Sequence, residues 1–153
     1  MIAKEDYEAA RFVLSGMLEG APESPVFNYM LGVLFDRMDQ PQQAIAHLSQ
    51  LQPGVKYYSD AVIHVAYLYE NMGKIEQAVQ LLETLVRQDS EDVEPFLFLG
   101  SLYERQKKYD KAAMILERGL KLAPDNVELI FRRGVIYDKT GRKDAVVSQM
   151  KRV

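Results

Sequence analysis

The chain has 153 residues, 48% apolar and 27% charged, with a formal net charge of −3. That is one domain's worth of sequence with enough apolar side chains for a continuous core, and it excludes a disordered chain. So small a charge does not favour nucleic acid or an anionic membrane as partner, and the absence of cysteine excludes disulfides, thiolate metal sites and cysteine nucleophiles.

Lack of cysteine also fits the cytoplasm. No run of about 18 apolar residues is present, so no segment is predicted to span a membrane. The start, Met1-Ile2-Ala3-Lys4-Glu5-Asp6, is too acidic for a signal peptide. Charge is uneven along the chain: Val127 to Val153 carries +4, which leaves −7 on the first 126 residues. The basic pairs Arg132-Arg133, Arg142-Lys143 and Lys151-Arg152 read as a solvated helix surface in preference to a nucleic-acid patch.

In chain order, Lys4 to Gly20 is predicted to be a helix whose residues Phe12, Val13, Leu14, Met17 and Leu18 are too apolar for a solvating end cap. Ser24-Pro25 reads as an N-cap followed by proline at the first helical position, and Asp39-Gln40-Pro41 as the turn closing that helix. Gln52-Pro53-Gly54-Val55 should end the next helix early and leave an irregular connection. Ser59 is the expected cap of the following helix, with Asp92 and Asn126 as caps further on. Gly73 and Gly141 suit turns that need a left-handed residue, and Lys107-Lys108 takes that place in between.

A period of 34 residues runs through these elements. A small residue recurs at Gly32, Ala66, Gly100 and Gly134, and an aromatic at Phe35, Tyr69, Tyr103 and Tyr137. Alanine recurs at Ala44, Ala78 and Ala112, with Val146 next in phase, and leucine at Leu48, Leu82 and Leu116. With Pro124 closing one repeat, the set resembles the tetratricopeptide pattern W-x2-L-G-x2-Y…A-x3-F…P over essentially the whole chain. The tryptophan position holds Asn28, Val62, Phe96 and Ile130, and Arg133 replaces an expected leucine. Asn28 and Arg133 are expected to pack less well.

The resemblance implies an all-α fold, a right-handed superhelical solenoid of antiparallel helix pairs. Its expected division is one repeat domain over 1–153, with a second helix of a partial repeat at 1–24. Repeats at 25–58, 59–92 and 93–126 follow, and then a partial repeat at 127–153. An array cut at both ends is expected, a piece of a longer one.

Catalytic chemistry finds no support. His47 and His64 have no metal-ligating neighbour at i+3 or i+4. Gly73-Lys74 lacks the rest of a phosphate-binding loop, and no nucleophile elbow occurs. Glu91-Asp92-Val93-Glu94 sits at a helix start, where carboxylates oppose the dipole favourably. The chain is expected not to be an enzyme and to need neither cofactor nor metal.

What the resemblance implies about function is binding. In this family the first helices of successive repeats line a groove. Its positions fall here on Tyr29, Ile63, Leu97 and Phe131, then on Val33, Tyr67, Ser101 and Val135, then on Asp36, Glu70, Glu104 and Asp138. The last set is acidic in every repeat, a ladder for a partner with basic residues, or plain solvation paired with Arg37, Arg105 and Lys139. The family's clamp for chaperone C-terminal carboxylates is absent, since only Arg132 matches its basic positions. The expected role is a protein-interaction scaffold for a peptide or partner protein. Self-association through exposed ends, or a regulatory array within a larger protein, is the alternative.

Overall fold

The computed structural model describes residues 4–88 and 91–141. The second helix expected after Gly141, with Val146 and the pairs Arg142-Lys143 and Lys151-Arg152, lies outside them. Every regular element among the described residues is a helix: α1 Lys4–Gly20, α2 Pro25–Arg37, α3 Pro41–Leu48, α4 Tyr58–Asn71, α5 Ile75–Arg87, α6 Glu94–Arg105, α7 Tyr109–Leu122 and α8 Val127–Lys139. They form two compact units that meet within α5, between Leu81 and Leu82.

The first unit is built on α2, which packs on both α1 and α3, with α4 against α3. Its core joins Leu31, Phe35, Ala44, Leu48, Leu51, Ala61, Val65 and Leu68. From α1, Leu14 and Leu18 lean on this cluster, while Phe12, Val13 and Met17 on the other side of the helix are exposed. Gly32 marks the tightest approach: an added Cβ would lie 2.4 Å from Leu48 Cγ and 3.3 Å from the Ala44 carbonyl. The small residue is therefore a steric necessity, set by a leucine sixteen positions later.

In the second unit α7 packs on α6 and α8. Gly100 repeats the close approach, its would-be Cβ 2.8 Å from Leu116 Cδ2. Gly119 adds another, with Phe96 Cβ at 3.0 Å and Leu129 Cδ2 at 3.1 Å. The aromatics Tyr103 and Tyr137 are buried. Their hydroxyls reach polar partners, as buried phenols must: Tyr103 donates to Glu83 and Tyr137 to Glu117.

The turns between first and second helices obey one rule. Asp39, Gly73, Lys107 and Gly141 have φ of 58°, 75°, 59° and 75°, a left-handed residue at every step of 34. After it, the amides of Gln40, Lys74 and Lys108 donate to the carbonyls of Phe35, Tyr69 and Tyr103 at 2.9, 2.8 and 2.9 Å. The left-handed residues donate to Asp36, Glu70, Glu104 and Asp138. This is the Schellman closure, which satisfies helix-end carbonyls while reversing the chain.

Capping follows the sequence in two places and departs from it in two. Ser24 and Asn126 accept from the amides of Phe27 and Leu129 at 3.3 and 3.0 Å. Ser59 is not a cap: α4 starts one residue before it, behind Tyr57 in the left-handed conformation at φ 67°. Asp92 precedes the capping residue Val93 and instead accepts from the Glu94 amide at 3.0 Å. As expected, α3 stops at Leu48 and an irregular stretch with Gly54 at φ 90° leads to α4.

Two glycines separate propensity from packing. Gly16 has nothing within 4 Å of an added Cβ, so Gly16→Ala should stabilise the chain by roughly 0.5–1 kcal/mol. Gly32→Ala gains the same propensity but collides with Leu48, and should cost a net of about 1–3 kcal/mol. Denaturant melts giving the two substitutions the same sign would contradict the close approach. At the turns, Lys107→Gly should stabilise and Gly73→Ala destabilise, each by about 1 kcal/mol, because only the left-handed φ differs in cost.

Candidate functional site

The first helices carry the residues implied by the family pattern, α2 and α4 in the first unit and α6 and α8 in the second. In the first unit Val33, Ile63 and Glu70 are half-buried and Tyr67 is exposed. Tyr29 is not an open floor residue, because Tyr57 from the irregular connection stacks on it with ring centroids 4.7 Å apart and planes 9° apart. Lys56 stands 5.0 Å over the outer ring. Burial, and after it the nearby Asp60 carboxylate, raises the Tyr29 phenol above its ordinary value. The stack was not legible in the repeat pattern, since Tyr57 lies in the segment that breaks it. The same stack helps hold Tyr57 in a left-handed conformation that costs roughly 1–2 kcal/mol.

In the second unit Leu97, Ser101, Glu104 and Val135 are half-buried, while Phe131 and Asp138 are exposed. The Ser101 hydroxyl donates to the Phe98 carbonyl at 2.8 Å. The two most open rings among the implied residues are Tyr67, 55% exposed, and Phe131, 65% exposed.

The acidic positions have partners inside the protein. Asp36 Oδ2 lies 2.7 Å from His64 Nε2 of α4. Glu104 accepts from Lys139 Nζ of α8 at 2.6 Å, and this bond raises the Lys139 ammonium above its usual range. Each carboxylate thus meets a basic group of the next first helix, 28 or 35 residues on. A carboxylate at a helix C-terminus opposes the dipole, and these hydrogen-bonding partners offset that cost. Lys139 serves Glu104, not the adjacent Asp138.

Asn28, expected to pack poorly, is 3% exposed and fully engaged. Its Nδ2 donates to the Pro22 and Ser24 carbonyls at 3.2 and 3.1 Å. Its Oδ1 therefore faces His47 Nδ1 at 3.1 Å, which makes that ring nitrogen the protonated one. The imidazole stacks on Phe35 with centroids 5.3 Å apart. A buried amide left unpaired would cost about 1–3 kcal/mol; here both its nitrogen hydrogens and its oxygen are used. Arg133 is half-buried with its guanidinium 5.9 Å over the Tyr137 ring. Among the described residues no group of three or more His, Asp or Glu could hold a metal, and no helix is long and apolar enough to cross a membrane.

The tetratricopeptide repeat family model matches residues 66–127. That stretch is tetratricopeptide repeat sequence. Solved structures agree on the fold. A crystal structure of MamA superposes with a TM-score of 0.76 at 19% identity, covering 97% of this chain and 86% of that one. A MamA structure from Desulfovibrio magneticus gives 0.72 at 15% identity, covering 95% and 82%. A tetratricopeptide repeat protein from Parabacteroides merdae gives 0.75 at 22% identity, covering 97% of this chain and 62% of that one. No curated protein matches the chain by sequence. Repeats of this kind support a protein-interaction scaffold in general.

The Asn28–His47 contact has a pH signature. Burial lowers the His47 pKa below its ordinary 6.5, so between the two values the unfolded chain binds a proton that the folded chain does not. Stability is then complete above about pH 6.5 and declines as pH falls toward the folded value. Thermal melts between pH 7 and 5 should show a steeper loss in the natural protein than in His47→Gln, and equal slopes would exclude this role.

Proposed function

We propose that this scaffold takes a peptide or a segment of a partner protein on its first-helix faces. The observation that carries the reading is the exposure of Tyr67 and Phe131. Each is a large ring at a groove position of the family, left open where the aromatics Tyr69, Tyr103 and Tyr137 are half-buried or buried. Exposed aromatics on rigid helices are what binding surfaces use as anchors. Tyr29, Val33 and Ile63 in the first unit, and Leu97, Ser101 and Val135 in the second, are semi-buried positions of the same pattern. The acidic positions, Asp36 and Glu70 in the first unit and Glu104 and Asp138 in the second, favour a segment carrying lysine or arginine.

The expected behaviour is specific. Tyr67→Ala combined with Phe131→Ala removes exposed rings, so the thermal melt should move by less than about 0.5 kcal/mol in stability. Partner affinity measured on the purified pair should fall at least tenfold, about 1.4 kcal/mol or more. A partner retained at full affinity by the double variant would sink the assignment.

A second reading rests on α1, where Phe12, Val13 and Met17 are 79%, 54% and 49% exposed. Such a face supports self-association. Sedimentation should then show concentration-dependent mass that Phe12→Ser with Met17→Gln abolishes; a monomer at all concentrations would eliminate it.

A further inference from the structure

Between the end of α5, α6 and α7, the second unit holds a cavity of about 230 Å³. Its floor is apolar, formed by the buried Val86, Leu99 and Ile115. Met114 also lines it yet is 64% exposed, which places this side chain at the mouth. Arg87, Lys111 and Arg118 complete the lining. Arg118 donates to the Val86 carbonyl at 3.0 Å and lies 5.8 Å over the Phe96 ring. Lys111 stands 5.7 Å over the Tyr103 ring. Glu83 is the one carboxylate of the lining. It accepts from the Tyr103 hydroxyl, and Arg87, its side chain 72% exposed, approaches it only to 4.0 Å. Three cations thus surround an apolar floor with one carboxylate among them, in a chain whose net charge is −3.

We infer that this cavity docks an acidic segment of a partner protein, one apolar side chain entering over Met114 while flanking carboxylates meet Arg87, Lys111 and Arg118. An uncharged apolar ligand would bury the floor but desolvate the cations without return. A small inorganic anion would satisfy the cations and leave the floor wet. The flexible thioether of Met114 suits an adaptable contact. None of these residues belongs to the first-helix positions assigned above, so the site stands or falls independently of them.

The test uses the whole chain and a short fluorescein-labelled peptide with one phenylalanine between glutamates. Control peptides carry glutamine or lysine in place of glutamate. The acidic peptide should bind saturably and shift the Met114 methyl signal in NMR spectra. Arg87→Glu with Lys111→Glu, both exposed, should weaken binding about tenfold or more, while Phe131→Ala leaves it unchanged. Equal binding of the glutamine peptide, or acidic-peptide binding that leaves the Met114 methyl unmoved, would overturn the proposal. So would self-association in sedimentation that the charge reversals abolish, because the cavity would then belong to a second copy of this chain.

Discussion

A helix pair can reverse direction in three residues only if one residue accepts a left-handed φ. The repeat is phased to that requirement. The residue appears at 39, 73, 107 and 141, and its amide always donates to the carbonyl of the acidic position three residues before it. Once the turn is fixed, the second helix returns along the first, and the separation is set by what faces across. At Gly32 and Gly100 that separation leaves no room for a methyl group. Turn and close approach are thus parts of one constraint: the turn aligns the helices, and the absent side chain lets leucine fill the gap.

The repeat also explains how neighbouring helix pairs are fastened. Tyr103 and Tyr137 each donate to a glutamate twenty residues earlier, Glu83 and Glu117. The two bonds are one contact repeated 34 residues on. They join a first helix to the preceding second helix, the kind of nearest-neighbour interface on which repeat proteins depend. The Asp36–His64 and Glu104–Lys139 contacts join successive first helices. Polar contacts of this kind fix register, while the leucines and alanines between them supply the burial.

Much of this was legible in the sequence because it is periodic. Gly32, Ala66 and Gly100 mark the close approach before any coordinate is known, and Gly73 and Gly141 mark the turns. Asp39 and Lys107 are harder, since neither residue type demands a positive φ; only their phase reveals them. Asn28 misled because a polar residue at a large apolar position looks like a defect. Its role depends on His47, nineteen residues away, and on two carbonyls outside the helix, none of which a family pattern encodes. Ser59 misled in the opposite way. The irregular segment before α4 shifts the helix start, and the Tyr29–Tyr57 stack that supports that start has no counterpart in the period. The cationic cavity was invisible because Arg87, Lys111 and Arg118 lie on two helices and are united only by packing.

The acidic positions show why structure changes the functional reading without cancelling it. Taken from the sequence, four carboxylates in phase read either as a ladder for a basic partner or as solvated groups paired with Arg37, Arg105 and Lys139. In the folded chain Asp36 and Glu104 already hold groups from the next first helix. The two contacts are unequal. An imidazole carries charge only when protonated, and the Asp36–His64 pair is partly buried. Glu104 is bound to a permanent ammonium, whose own titration this contact raises, so an incoming cation there must displace or share Lys139. Acidic positions that are uniform in sequence thus differ in what they hold, an imidazole at Asp36 and an ammonium at Glu104.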